Sequence, residues 1–215
     1  MTRRSLILIL IIGVLTVSAT ALAIYGFYAG RIFYVPVGSM MNTVIPGDRV
    51  LARKFSREVK RGQVVVFQYP GDSTYYLGRV IGLPNETLEV RDTSVYINRN
   101  QRVNEIKVMV EYVDADYTEL KEVSTEGKGR YKVYYVAGEK GEAERVVDDP
   151  TVLGPHQIPA GHYFMMGDNR DNSEDSRYRG SVPRELIWGE PFMIYYSTAV
   201  KTDEFRWDRL FKSIQ

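Results

Sequence analysis

GDNRDNSEDSR, residues 167–177, follows directly on the apolar run Tyr163-Phe164-Met165-Met166. The run reads as a buried strand that ends at Gly167. The segment it delivers packs both charge signs and many hydrogen-bonding groups into a short span. A polar loop presented by a rigid strand is a usual place for functional residues. A solvated turn held by local Asx hydrogen bonds would have a similar composition. A flexible linker, by contrast, is rarely preceded by such a strand.

Working outward, other Val- and Tyr-rich runs separated by turn signals make the chain mostly β. Strands are expected at 31–35, 49–55, 63–69, 75–83, 95–98, 131–136, 163–166 and 191–197, with turns at Pro46-Gly47-Asp48, Arg61-Gly62, Pro70-Gly71-Asp72 and Pro84-Asn85. Residues 114–128 are polar and read as a mobile loop or hairpin tip. Residues 206–212 mix apolar and basic side chains, which suits either a short amphipathic helix on a membrane surface or simple packing. No internal repeat is visible.

The N-terminus differs in kind. Arg3 and Arg4 precede an apolar run over residues 6–29. As a helix it would be roughly 36 Å long, enough to cross a bilayer core of about 30 Å. Ala19 and Ala21 form a pair like that of a signal-peptide cleavage site, but the run continues past them, which favours a retained anchor. The positive-inside rule puts residues 1–5 in the cytoplasm and the rest on the outer face. Ser39 comes nine positions after Gly30, a reach of at most about 30 Å when extended. Any site built on Ser39 therefore lies close to the membrane.

The chain has 215 residues, a formal net charge of +1, two histidines and no cysteine. Disulfides, Cys-ligated zinc and a cysteine nucleophile are excluded, and two histidines do not make a His-rich metal site. Near-neutral charge gives no reason to expect nucleic acid. No metal or cofactor is expected.

Pro36-Val37-Gly38-Ser39-Met40 and the 167–177 loop, taken together, resemble the type I signal peptidases. These are membrane-bound serine endopeptidases that remove signal peptides from exported proteins. The first stretch is similar to the family's PSGSM-like nucleophile motif. Pro46-Gly47-Asp48, the segment 61–69, Gly82-Leu83-Pro84, Ile158-Pro159 and Gly161 are similar to family segments in the same order. The resemblance implies a single transmembrane helix followed by an antiparallel β domain. Residues 31–85 and 161–200 would form the catalytic-type core, 86–160 a β-rich insertion and 201–215 a tail. It also implies Ser39 as nucleophile, Gly38 and Ser39 in the oxyanion region, and Ser173 orienting the base. Asp175 and Arg177 would form a supporting ion pair. The implied partners are membrane lipid and exported preproteins with small residues near the cleavage site, bound as an added β-strand.

Three positions depart from the pattern. The family's general-base lysine stands immediately before the Arg of a YIKRVIGLPG-like strand, and Gly78 occupies that place here. Arg79 does not replace it, because a guanidinium stays protonated. Where the family commonly has an oxyanion-donating hydroxyl, this chain has Val37. Asn42 stands where proline is usual. Losing one oxyanion donor costs roughly 10²–10³ in rate, and losing the base costs more. Two readings follow: an impaired or rewired signal peptidase, or a silent relative that binds signal-peptide-like segments without cleaving them. Lys54, Lys60, His156 and His162 are the substitute bases by residue type. Gly78 is expected to leave space for a lysine, with Tyr76, Leu77, Val80, Met165 and Met166 as its apolar setting.

Overall fold

The computed structural model describes residues 3–28, 30–41, 43–55, 58–91, 93–112, 120–137 and 154–215. Helix α1 (Arg3–Tyr28) leads into fourteen strands. Strands β1 (Gly30–Tyr34), β2 (Asp48–Lys54), β3 (Val64–Phe67) and β4 (Tyr76–Gly82) come first. The middle of the chain supplies β5 (Thr87–Arg91), β6 (Ser94–Ile97), β7 (Gln101–Arg102), β8 (Ile106–Tyr112), β9 (Leu120–Gly127), β10 (Lys132–Val136) and β11 (His156–Gln157). Strands β12 (His162–Met166), β13 (Val182–Pro183) and β14 (Ile187–Ser197) follow.

The first and last groups interleave in one seven-stranded sheet, ordered β1-β2-β14-β3-β4-β12-β13. Its pairings are antiparallel. The middle strands form a three-stranded sheet, β10-β8-β9, and a four-stranded sheet, β11-β5-β6-β7.

Strand β3 shows why the large sheet is stable. Val64-Val65-Val66-Phe67 is buried throughout, as a continuous apolar run implies when both sheet faces are covered. Val64 and Val66 join Phe33, Val50, Ala52 and Ile194 on one face. Val65 and Phe67 join Val80, Tyr163, Met165 and Ile187 on the other. Each such side chain contributes roughly 1.5–3 kcal/mol of transfer free energy. A third cluster joins Ile81, Phe164 and Met166 of the large sheet to Leu88, Val90, Val95 and Ile97 of the four-stranded one. The polar loop's strand, β12, thus has packing on both sides.

Several expectations need correction. Residues 113–119 lie outside the described part of the chain, but 120–127, read as loop or hairpin tip, form β9 and pair with β8. The β8–β10 pair is parallel, so the sheets are not all antiparallel. Strand β14 begins at Ile187, earlier than the Pro191 start suggests; register shifts around Pro191 and Ile194 carry the strand past the proline. Of the two readings of 206–212, the surface helix and simple packing, the structure shows packing around a single 3-10 turn, Trp207–Arg209. Its Arg209 turns inward to a buried bidentate pair with Asp48 (3.0 and 2.7 Å), while Trp207 and Phe211 stay exposed.

Helix α1 presents Ile7 to Val17 to its surroundings. Among the described residues, no helix is long and apolar enough to cross a membrane.

Candidate active site

Ser39 sits in the turn between β1 and β2. Met40 and Met41, buried to 1% and 0% exposure, anchor that turn in the core. The Met41 N–H donates to the Gly38 carbonyl (3.1 Å) and the Val44 N–H to the Met40 carbonyl (3.0 Å). Thus Ser39 is raised on a rigid loop. Among the described residues, no hydrogen bond reaches its Oγ.

The polar loop grips this turn by its backbone. Asn169 donates from its main-chain N–H to the Ser39 carbonyl (3.0 Å) and from its side-chain amide to the Gly38 carbonyl (3.1 Å). A Cβ on Gly167 would collide with the Ser173 side chain and the Ser39 carbonyl oxygen. Only glycine therefore lets these two segments approach so closely.

Behind the loop lie buried ion pairs. Asp175 accepts bidentately from Arg177 (2.8 and 2.9 Å), as expected. It also accepts from the Gly167 N–H (2.9 Å) and caps helix α2 (Ser176–Arg179) through the Arg177 N–H (3.1 Å). Burial alone would lower the Arg177 pKa, but the Asp175 carboxylate outweighs it and holds the guanidinium above its ordinary value. Asp168 accepts bidentately from Arg79 (2.8 and 2.7 Å), the residue next to Gly78, and also from the Thr43 hydroxyl (2.5 Å). Arg170 pairs with Glu105 and donates to the Tyr135 hydroxyl (3.1 Å). The three-stranded sheet adds two backbone ties, from Tyr134 N–H to the Asp168 carbonyl and from Val136 N–H to the Asp171 carboxylate (both 2.7 Å). Asp168, Asn169, Arg170, Glu105 and the Asp48–Arg209 pair were not singled out in the sequence. The one available signal was the density of opposite charges in an eleven-residue loop flanked by core.

A cleft of about 1040 Å³ opens over these groups. It is lined by Val37, Gly38 and Ser39 from the turn, Tyr76, Leu77 and Gly78 from β4, and Ser173 and Asp175 from the loop. The structure thus brings together six of the seven residues expected at the site, with Arg177 just behind through its bond to Asp175. Asn42 lies outside the described residues.

The space expected at Gly78 is narrower than anticipated. A Cβ there would meet Phe67 Cε1 at 3.0 Å and Met165 Cβ at 3.5 Å. Val80 and Met165 do lie on Gly78's side, together with Phe67. Leu77 and Met166 instead pack with the clusters of the opposite face. Sequence reading missed Phe67 because its contact crosses strands, from β3 to the β4 position paired with Val65.

None of the expected substitute bases, Lys54, Lys60, His156 or His162, lines the cleft; Lys201 does, from the turn after β14. His156 contacts Ser181 Oγ (3.0 Å) and the Phe164 ring, and His162 contacts the Ala160 carbonyl. Tyr69 also lines the cleft. Its hydroxyl is buried near Ser176, Asp175 and Arg179 without hydrogen-bond geometry to any of them. Burial pushes this phenol well above its ordinary range, so it stays neutral. At the outer edge, Asp72 accepts from the Thr74 N–H, the Tyr76 hydroxyl and Arg179, which together hold its carboxyl below the usual range.

Ser39 thus stands on a braced turn at the wall of a cleft that is part apolar and part lined by the polar loop. The chain belongs to the signal peptidase family, peptidase S26, whose model matches residues 4–196, and it is of the serine endopeptidase class. It is similar to signal peptidase I of Pseudomonas fluorescens, at 34% identity over 77% of this chain and 64% of that protein. The Rickettsia typhi signal peptidase I is 33% identical over 78% of this chain and 72% of its own length. That of Buchnera aphidicola from Schizaphis graminum is 30% identical over 80% and 70%. A solved signal peptidase I from Enterococcus faecalis V583 shares 26% identity over 62% of this chain, with a TM-score of 0.37.

Proposed function

We propose that this chain removes signal peptides from exported preproteins, with Ser39 as nucleophile, at the outer face of the cytoplasmic membrane. The observation that carries this reading is the single cleft shared by Ser39, Gly78, Ser173 and Asp175. An extended peptide lying there would pass small side chains beside Tyr76, Leu77 and Met165. Ser173 stands where it would orient a proton acceptor, the Asp175–Arg177 pair braces the loop, and the Gly38–Ser39 backbone faces the developing oxyanion. Residues 6–29 form the membrane anchor, with residues 1–5 inside. The apolar length of that run supports the anchor, and Arg3 and Arg4 support its direction. Residues 31–85 and 161–200 form the catalytic part, 86–160 its insertion and 201–215 a tail.

A second reading is favoured by one specific feature. Gly78 offers no proton acceptor and the Phe67 ring closes on it, while Val37 offers no oxyanion donor. On this reading the cleft binds signal-peptide-like segments and releases them uncut. A preprotein cleavage assay comparing the natural chain with Ser39→Ala separates the two. Faster cleavage by the natural chain upholds the enzyme. Equal background rates, with a photo-crosslinkable signal peptide still captured in the cleft, establish the silent binder.

A further inference from the structure

Away from the active site, a second concavity of about 620 Å³ is bounded by three separate chain segments. Arg61 enters from the turn before β3, Arg102 from β7, and Lys128 and Arg130 from the loop between β9 and β10. Val103 and Tyr131 supply its apolar part. No carboxylate lines it among the described residues. Arg61 is tied to the Glu86 carboxylate and the Ile81 carbonyl, which fixes its guanidinium. The side chains of Arg102, Lys128 and Arg130 make no ion pair or hydrogen bond among the described residues.

We propose that this cleft binds a phosphate-bearing anion. Arg61 is already paired with Glu86, but Arg102, Lys128 and Arg130 converge on the same hollow without a carboxylate partner among the described residues. These three repel one another, and low-dielectric walls focus their field. A bound anion turns that cost into attraction, and the Arg forks match phosphate oxygens bidentately. The whole chain carries a net charge of only +1, so this concentration is local and is offset elsewhere on the surface. The field also reaches a neighbour. Lys107, on β8, has its ammonium held below the ordinary lysine value, first by burial and next by repulsion from Arg102. The hollow exceeds a bare phosphate and falls in the usual range for organic ligands, so the apolar part takes the remainder of a phosphate ester. Gly62 and Tyr131, which line the cleft, also touch Arg79. The Gly62 carbonyl accepts from its Nη1 (2.7 Å), and the Tyr131 ring stacks on its guanidinium at 4.2 Å.

The test is calorimetric titration of the full chain in neutral detergent with two probes, inorganic phosphate and short-chain dihexanoyl phosphatidylglycerol. The triple variant Arg102→Gln, Lys128→Gln, Arg130→Gln removes exposed charges and should fold normally. It should weaken binding by about tenfold or more, and the salt dependence should shrink with it. A control triple variant, Lys54→Gln, Lys121→Gln, Lys212→Gln, should change binding by less than about twofold. Equal affinity for both probes identifies a free-phosphate site. At least tenfold tighter lipid binding identifies a headgroup site. Failure of both probes to bind the natural chain, or equal losses in the two triple variants, overturns the proposal.

Discussion

The loop at 167–177 and strand β4 face each other across one cleft, and they differ in how fully their polar needs are met. On the loop, every buried charge has its partner: Asp168 with Arg79, Arg170 with Glu105, Asp175 with Arg177. On β4, the position facing Ser39's cleft holds Gly78, and the neighbouring strand's Phe67 packs where a longer side chain would start. The loop that holds the Ser39 turn is therefore fully paired, while the β4 position across the cleft carries no side chain. On the proposed reading, positioning and proton transfer are separable parts of such a site, and the loop serves the first.

The loop's completeness is the easiest part to break. Asp175→Ala leaves Arg177 uncompensated in a buried setting and frees the Gly167 N–H and the α2 cap. We expect a loss of roughly 3–5 kcal/mol, read as a large fall in melting temperature or urea midpoint. An unchanged midpoint would mean that the pair is far more hydrated than its 5% and 6% side-chain exposure indicates.

Restoring β4 is the next largest effect. Gly78→Lys alone forces the new Cβ to 3.0 Å from the Phe67 ring. We therefore expect it to act only together with Phe67→Leu, which makes room. Burial beside Met165 and Val80 disfavours the ammonium and lowers the lysine pKa, as a general base at neutral pH needs. Adding Val37→Ser should raise preprotein cleavage further, by about 10²–10³ if the hydroxyl reaches the oxyanion. The whole gain should disappear with Ser39→Ala. A folded variant with no gain would place the missing acceptor somewhere other than Gly78.

How much of this was legible beforehand follows from the range of each interaction. The strands were readable because Gln63 to Tyr69 and Tyr163 to Met166 are apolar runs bounded by turns. Ser39, Ser173, Asp175 and Arg177 were named through the resemblance to the type I signal peptidases, and the structure brings the first three to one cleft with Arg177 paired to Asp175. Phe67 against Gly78 was not, because strand pairing sets that contact between positions eleven residues apart. Glu105 was hidden for the same reason: 65 positions separate it from Arg170. Arg209 was left open between a surface helix and packing on the domain, because composition cannot reveal that Asp48 waits for it inside.

A smaller effect concerns Tyr69, on the cleft wall between the two regions. Its buried hydroxyl has no hydrogen-bond partner among the described residues, so Tyr69→Phe should leave stability unchanged or raise it by about 1 kcal/mol. A clear loss of stability would show that the hydroxyl is bonded to Ser176 after all, making the loop's network one member larger.

The smallest effect tests whether the loop or the rest of the fold responds to mild acid. In the loop, Arg170 and Arg177 are held above their ordinary values by their carboxylate partners, which outweigh the effect of burial. Histidine ordinarily titrates in mild acid, near pH 6.5. His156, on β11, is held below that value by burial. The folded chain therefore binds fewer protons at this site than the unfolded chain. Stability is full above the unfolded value and declines as the pH falls through about 6.5 toward the lower folded value. His156→Gln keeps a polar group for Ser181 but does not titrate. Its melting temperature should then fall less than the natural chain's between pH 8 and 5. If both chains lose the same amount, His156 is not the acid-sensitive group, and the carboxylates of the loop become the place to look.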